Sequence, residues 1–191
     1  MGLVLVTGPT SDPISLAEAR AHARVTSDDD DGLIVGYILA ARQYIEEITG
    51  RALLSKIFDF KIDGWPRSAE IELPRVPLIS VISVSYVDTA GATQSLAADQ
   101  YQVVTSDLIG RIVPAYGVTW PQVRSQPESV TVRFDAGHGT NPGSIPEALR
   151  QAVLLLVGYW YDAREAVNIG NTVNEMPFAV DSLIAPYRVY F

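Results

Sequence analysis

Three clusters carry side chains whose types and spacing could do chemistry: the run Asp28-Asp29-Asp30-Asp31, the histidines His22 and His138, and the glycine-rich stretch Phe134 to Ser144. Four carboxylates could hold calcium or magnesium. Calcium loops place their ligands at alternate positions so that they converge on one ion, whereas consecutive aspartates diverge. At the start of a helix each acid instead gains about 0.3–1 kcal/mol from the macrodipole. The glycine-rich stretch has the strand–loop–helix layout that can cradle phosphate. It lacks the Gly-Lys-Ser/Thr ending, and Pro142 and Pro146 remove two N–H donors. It reads as a connection. His138 lies three residues after Asp135, and a triad is assembled in space, so spacing alone does not forbid one. Still, no nucleophile-elbow motif occurs, and no histidine pair has metal-ligand spacing. The expectation is no catalytic residue, no metal, no other cofactor, and a protein that is not an enzyme.

Composition narrows the classes further. The chain has 191 residues, of which 48% are hydrophobic, enough for one large or two small cores. It contains no cysteine, which excludes a disulfide scaffold and thiolate metal sites. The net charge is −8 and Lys56 and Lys61 are the only lysines, so a phosphate-gripping face for nucleic acid is not expected. An acidic wall that DNA passes without sticking fits such a charge. The most apolar run, Ala152 to Tyr161, is half the length a membrane span needs.

Periodicity separates three regions. In residues 14–50, Ser15 and Glu18 have capping-box spacing and open a first helix running to about Arg24. A second helix begins near the aspartates, with Ile34, Tyr37, Ile38, Ala41, Tyr44, Ile45 and Ile48 on its apolar face and Gly50 as its stop. Residues 56–136 alternate as strands do: Phe58, Phe60, Ile62; Ile71, Leu73; Val130, Val132, Phe134. Ile79 to Val87 reads as a central strand, with a hairpin turn at Asp88 to Gly91. Met1 to Val6 reads as a short strand or arm. From Ser144 to about 164 the pattern is helical again, with Ser144 and Glu147 at capping-box spacing and Pro146 in the first turn. This helix is apolar nearly all round, so Leu149, Val153, Leu156 and Trp160 are expected in the bundle core or at a subunit interface. Val167 to Pro177 reads as a loop, followed by a short turn at Asp181 to Ile184 and an extended end. The expected fold is α+β: a small helical bundle of two N-terminal helices and one C-terminal helix (residues 1–54 and 144–191), with an inserted antiparallel β-rich subdomain (55–143).

The C-terminal segment is the sharpest signal. It ends in Tyr187, Arg188, Tyr190 and Phe191, residue types enriched at interface hot spots. Two readings stay open at this point: a docking tail for another protein, or a tail folded onto its own bundle. Under the first, deleting Val180 to Phe191 should leave the fold intact.

The order of motifs over most of the chain resembles the head–tail connector, or head-completion adaptor, proteins of long-tailed phages and gene transfer agents. The resemblance is carried by Ile14-Ser15-Leu16-Ala17-Glu18-Ala19, Ala40-Ala41-Arg42 through Glu46, Thr49-Gly50-Arg51-Ala52-Leu53-Leu54 and Asp63-Gly64-Trp65-Pro66. It continues through Leu73-Pro74-Arg75-Val76-Pro77-Leu78 into Val81 to Tyr86, then Trp120-Pro121, Val130 to Gly137, Ile145 to Leu149 and Leu183 to Arg188. The resemblance implies a structural virion protein at the head–tail neck, assembled in the bacterial cytoplasm. It implies a dodecameric ring around the DNA exit channel, joining the portal protein to a tail-completion or stopper protein. The free chain could be a monomer that closes into a ring on the portal. The resemblance also implies that Leu183, Ile184, Pro186, Tyr187, Arg188, Val189, Tyr190 and Phe191 form a portal-binding tail. It carries no catalytic residue. Two other classes compete: a β-rich surface module using Trp65, Trp120 and Tyr116 to recognise a receptor or sugar, and, ranked last, a hydrolase using Asp28 to Asp31 with His138.

Overall fold

The computed structural model describes residues 1–163 and 178–190. The loop expected at 167–177 and Phe191 lie outside the described residues. The described residues form two compact units, one of 1–9 and 55–139, the other of 10–54, 140–163 and 178–190. The fold is mixed α+β, with four α-helices and two antiparallel sheets among the described residues.

In the helical unit, α1 (Leu16–His22) opens with a capping box at Ser15: the Ser15 hydroxyl accepts from the Glu18 N–H, and the Glu18 carboxylate accepts from the Ser15 N–H. α2 (Asp31–Thr49) ends at Gly50 with φ 69°, the left-handed stop its sequence position anticipates. α3 (Glu147–Ala163) carries the apolar run, and Leu149, Val153, Leu156 and Val157 are buried against Ile34, Ile38, Ala41 and Ile45 of α2 in one core cluster. The capping box expected at Ser144 does not form. Pro142 to Ser144 make a 3-10 turn capped by Asn141, and the Ser144 hydroxyl donates to the Asn141 carbonyl. Ile145 is extended, and the helix starts two residues later with the Pro146 carbonyl accepting from Leu149. The Glu147 carboxylate accepts from Gln151 and Arg150 instead of a cap N–H. Residues expected as a turn and an extended end form α4 (Phe178–Ile184) followed by a 3-10 turn at Ala185–Tyr187.

The β unit has a five-stranded sheet in the order β1-β2-β8-β4-β5 and a three-stranded sheet β3-β7-β6. The strands are β1 (Gly2–Thr7), β2 (Lys56–Ile62), β3 (Ile71–Glu72), β4 (Leu78–Val87), β5 (Thr93–Leu96), β6 (Tyr101–Val104), β7 (Arg111–Pro114) and β8 (Val130–Ala136). The period-two pattern in β8 is realised: Val130, Val132, Phe134 and Ala136 are buried, and Phe58 stacks on Phe134 with centroids 5.6 Å apart. On the alternate positions of the same pair, Arg133 binds Asp59 through Nε at 2.7 Å and Nη2 at 2.8 Å. The Asp88 carboxylate accepts from Ala90 and Ala92 and closes the β4–β5 hairpin. Two of the expected domain bounds move, and residues 140–143, expected with the sheet, belong to the helical unit. Residues 1–9, expected with the bundle, belong to the β unit, because β1 pairs antiparallel with β2 from Gly2–Lys61 to Thr7–Ile57.

Candidate functional site

The candidate catalytic clusters come apart when built residue by residue. Asp31 pairs with Arg20 at 3.2 Å, Asp29 accepts from the Ser27 hydroxyl, and Asp30 accepts from the Tyr161 hydroxyl at 2.7 Å. Asp29, Asp30 and Asp31 thus each have a separate partner, and Asp28 lends its backbone carbonyl to the Asp31 N–H. No group of three or more potential metal ligands occurs among the described residues. In the glycine-rich stretch, the Asp135 carboxylate accepts from the Ser55 hydroxyl, the Gly137 N–H donates to the Pro77 carbonyl, and the Gly139 carbonyl accepts from Ser55 N–H. The stretch is tied to its own sheet. His22 lies against Gly158 of α3 in the helical unit, at the rim of a cleft that Arg24, Tyr159 and Asp162 also line.

The aromatic trio of the surface-module reading also separates. Trp65 and Trp120 stack face to face, with centroids 4.5 Å apart and planes 8° from parallel. Their indole N–H groups donate to the Pro121 and Ala69 carbonyls at 2.7 and 2.9 Å. Each ring has one face on the other, and both polar handles are used internally. Tyr116 is fully exposed and is not part of this stack.

The C-terminal segment is built in two faces. On the inner face Val180, Ile184 and Val189 are buried, and Leu183 and Tyr187 pack on the bundle core. Backbone pairing holds the end in place: Val189 N–H donates to the Thr49 carbonyl at 3.0 Å, beside the helix stop at Gly50. Arg51 donates through Nε to the Tyr187 carbonyl at 2.8 Å, and its guanidinium carbon lies 5.5 Å from the Tyr187 ring centroid. Burial lowers the Arg51 pKa below its ordinary value. Arg188 is fixed by Asp181 at 2.7 Å. On the outer face Pro186 is exposed, and so is Tyr190, at 83% of its surface. The fold-back was one of two readings open in the sequence, and the structure realises it for the inner face. It also overturns the expectation that deleting Val180 to Phe191 spares the fold, since that cut removes three buried core side chains.

Of the core positions expected, Leu149, Val153 and Leu156 are buried within the bundle. Trp160 is half-buried and packs against Tyr37 and Tyr44, with centroids 6.1 and 6.3 Å away. Sequence reasoning did not assign Thr49 and Arg51 to the tail's seat. The adjacency of a helix stop to an arginine was visible, but its partner lies 136 residues away.

The model of the family "head completion protein" matches residues 13–190. The chain belongs to the head completion protein family. The matched span takes in both helical segments, nearly all of the sheets and the tail up to Tyr190. Among solved structures, a chain from the neck of an empty gene transfer agent particle, computed with C6 symmetry, is 29% identical with a TM-score of 0.80. A chain from the neck of a native particle, computed with C12 symmetry, is 30% identical with a TM-score of 0.81. A third, from the virion of a native gene transfer agent particle, is 29% identical at 0.81. Each alignment covers 100% of this chain and 97% of the other. No curated protein matches.

Proposed function

We propose that this head completion protein is a head–tail connector: a non-enzymatic ring in the neck of a phage or gene-transfer-agent-like particle, encircling the DNA exit channel. The observation that carries this reading is the full-length likeness to neck chains at 29–30% identity, under C6 and C12 symmetry. The net charge of −8 suits a surface that DNA passes without specific binding. The dispersal of the acidic run and the glycine-rich stretch into local structural bonds supports a role without catalysis.

The finer assignment concerns partners. The portal protein docks on the outer face of the C-terminal segment, and a tail-completion or stopper protein joins the opposite side of the ring. Pro186 and Tyr190 are exposed on a segment whose inner face is fixed, so they present an ordered contact instead of a frayed end. An aromatic that is already ordered gives up little entropy on docking, which favours affinity. Weak single contacts gain strength when repeated around a ring.

The test is portal capture by the full-length chain, compared with a Pro186→Ala/Tyr190→Ala variant whose fold is checked by circular dichroism. Capture by the parent chain and its loss in the folded variant is the expected result. Equal capture by both would remove the outer face from the proposal. Particles made without this chain that still carry attached tails would overturn the connector reading itself.

A further inference from the structure

The five-stranded sheet leaves two apolar margins exposed. One is its end strand β1, Gly2-Leu3-Val4-Leu5-Val6-Thr7, in which Val4, Leu5 and Val6 are exposed although successive residues face opposite sides. The other is the first half of β4. β5 pairs only with Val84 to Val87, so among the described residues no strand of the unit flanks Ile79 to Ser83 on that side. The register of β4 on β8 shifts between Leu78 and Ser80 and again between Val81 and Ser83, and the residues between, Ile79 and Ile82, are 42% and 50% exposed.

Sheet edges are ordinarily guarded by lysine, proline or an inward charge. Neither Gly2–Thr7 nor Leu78–Val87 contains a single charged residue or proline, in a chain that is 19% charged. The bulges in β4 spoil its ladder for an added strand, so these margins are suited to side-chain packing more than to strand addition. Each is a small apolar patch without charge, and the two match each other in chemistry.

A ring imposes a geometric demand that these margins meet. Every contact in a cyclic ring above a dimer is heterologous: each subunit needs two different patches, facing away from each other, that fit together. β2 and β8 lie between β1 and β4, which sets the two margins about 14 Å apart on opposite flanks of the sheet. We propose that in the ring the β1 margin of one copy, through Val4, Leu5 and Val6, packs against Ile79 and Ile82 of the next copy. This inference rests on the ring reading given above and specifies its lateral contact.

Because the chain has no cysteine, a pair can be placed without background. Full-length chains carrying Val4→Cys, Ile82→Cys, or both are incorporated into particles, and purified particles are treated with a short bismaleimide. The neck ring is scored separately by electron microscopy. The double variant should give a denaturation-resistant ladder of linked copies, and each single variant should give none. A ring that is visible without a ladder, or Val4→Cys linked to a different particle protein, would overturn the lateral contact and leave the ring reading standing. Parent particles with no ring of this chain would overturn both. A charge pair provides a second route: Leu5→Lys and Ile82→Glu should each abolish incorporation alone and restore it together. Incorporation of both single variants at the parent level would also sink the proposal.

Discussion

Arg51 Nε donates to the Tyr187 carbonyl at 2.8 Å while its guanidinium faces the Tyr187 ring, so one side chain just beyond α2 secures the last turn of the C-terminal segment. A charge-assisted hydrogen bond to a carbonyl contributes about 1.5–3 kcal/mol. Arg51→Ala should therefore lower the unfolding free energy measured by urea titration by an amount in that range. Arg51→Lys should recover only part of it, because an ammonium lacks the planar fork that bonds and stacks together.

The two faces of the segment should respond differently to truncation. Ile184 is fully buried, so Ile184→Ala should cost about 2–5 kcal/mol in equilibrium unfolding. Tyr190→Ala should change stability by less than about 0.5 kcal/mol. If Tyr190→Ala destabilised as much as Ile184→Ala, the division into a structural and an exposed face would be wrong.

Acid should loosen the β unit through Asp59. The hydrogen bond from Arg133 holds the Asp59 carboxyl below its ordinary value of 3.8. A depressed carboxylate contributes stability that is complete above the ordinary value and is lost as pH falls through the folded one. Unfolding midpoints measured from neutral pH to strongly acid pH should fall below about pH 4, and Asp59→Asn should flatten that decline.

Gly50 sits at φ 69°, where a side chain is strained. Gly50→Ala should destabilise by about 1–2 kcal/mol and Gly50→Asn by less, since asparagine tolerates the left-handed region. Thermal unfolding of the two variants would check the order.

What could be read from sequence follows from how local the determinant is. The Ser15–Glu18 box formed because both members lie within one turn and nothing competes for them. The same spacing at Ser144–Glu147 failed because Asn141 and Pro142 build a tight turn that takes the Ser144 hydroxyl first. β2 and β8 were legible from their alternation. β5, β6 and β7 were not, since Thr-Gln-Ser-Leu or Arg-Ile-Val-Pro has no face that stands out from a loop. β1 was recognisable as a strand, but the β2 edge it joins is more than fifty residues away in sequence and leaves no local mark. The aromatic end of the chain was legible as a candidate contact. Its seat on Thr49 and Arg51 was not, because nothing in either segment encodes the other.

The Ser55 N–H donates to the Gly139 carbonyl at 2.9 Å, so the β segment from 55 to 139 begins and ends within one hydrogen bond of itself. In genetic terms that segment is a cassette. A linker of about two residues would span the gap its removal leaves, and recombination at those two points could exchange one sheet for another while every helix of the bundle kept its sequence. β1, encoded outside the cassette, would have to find a new neighbour.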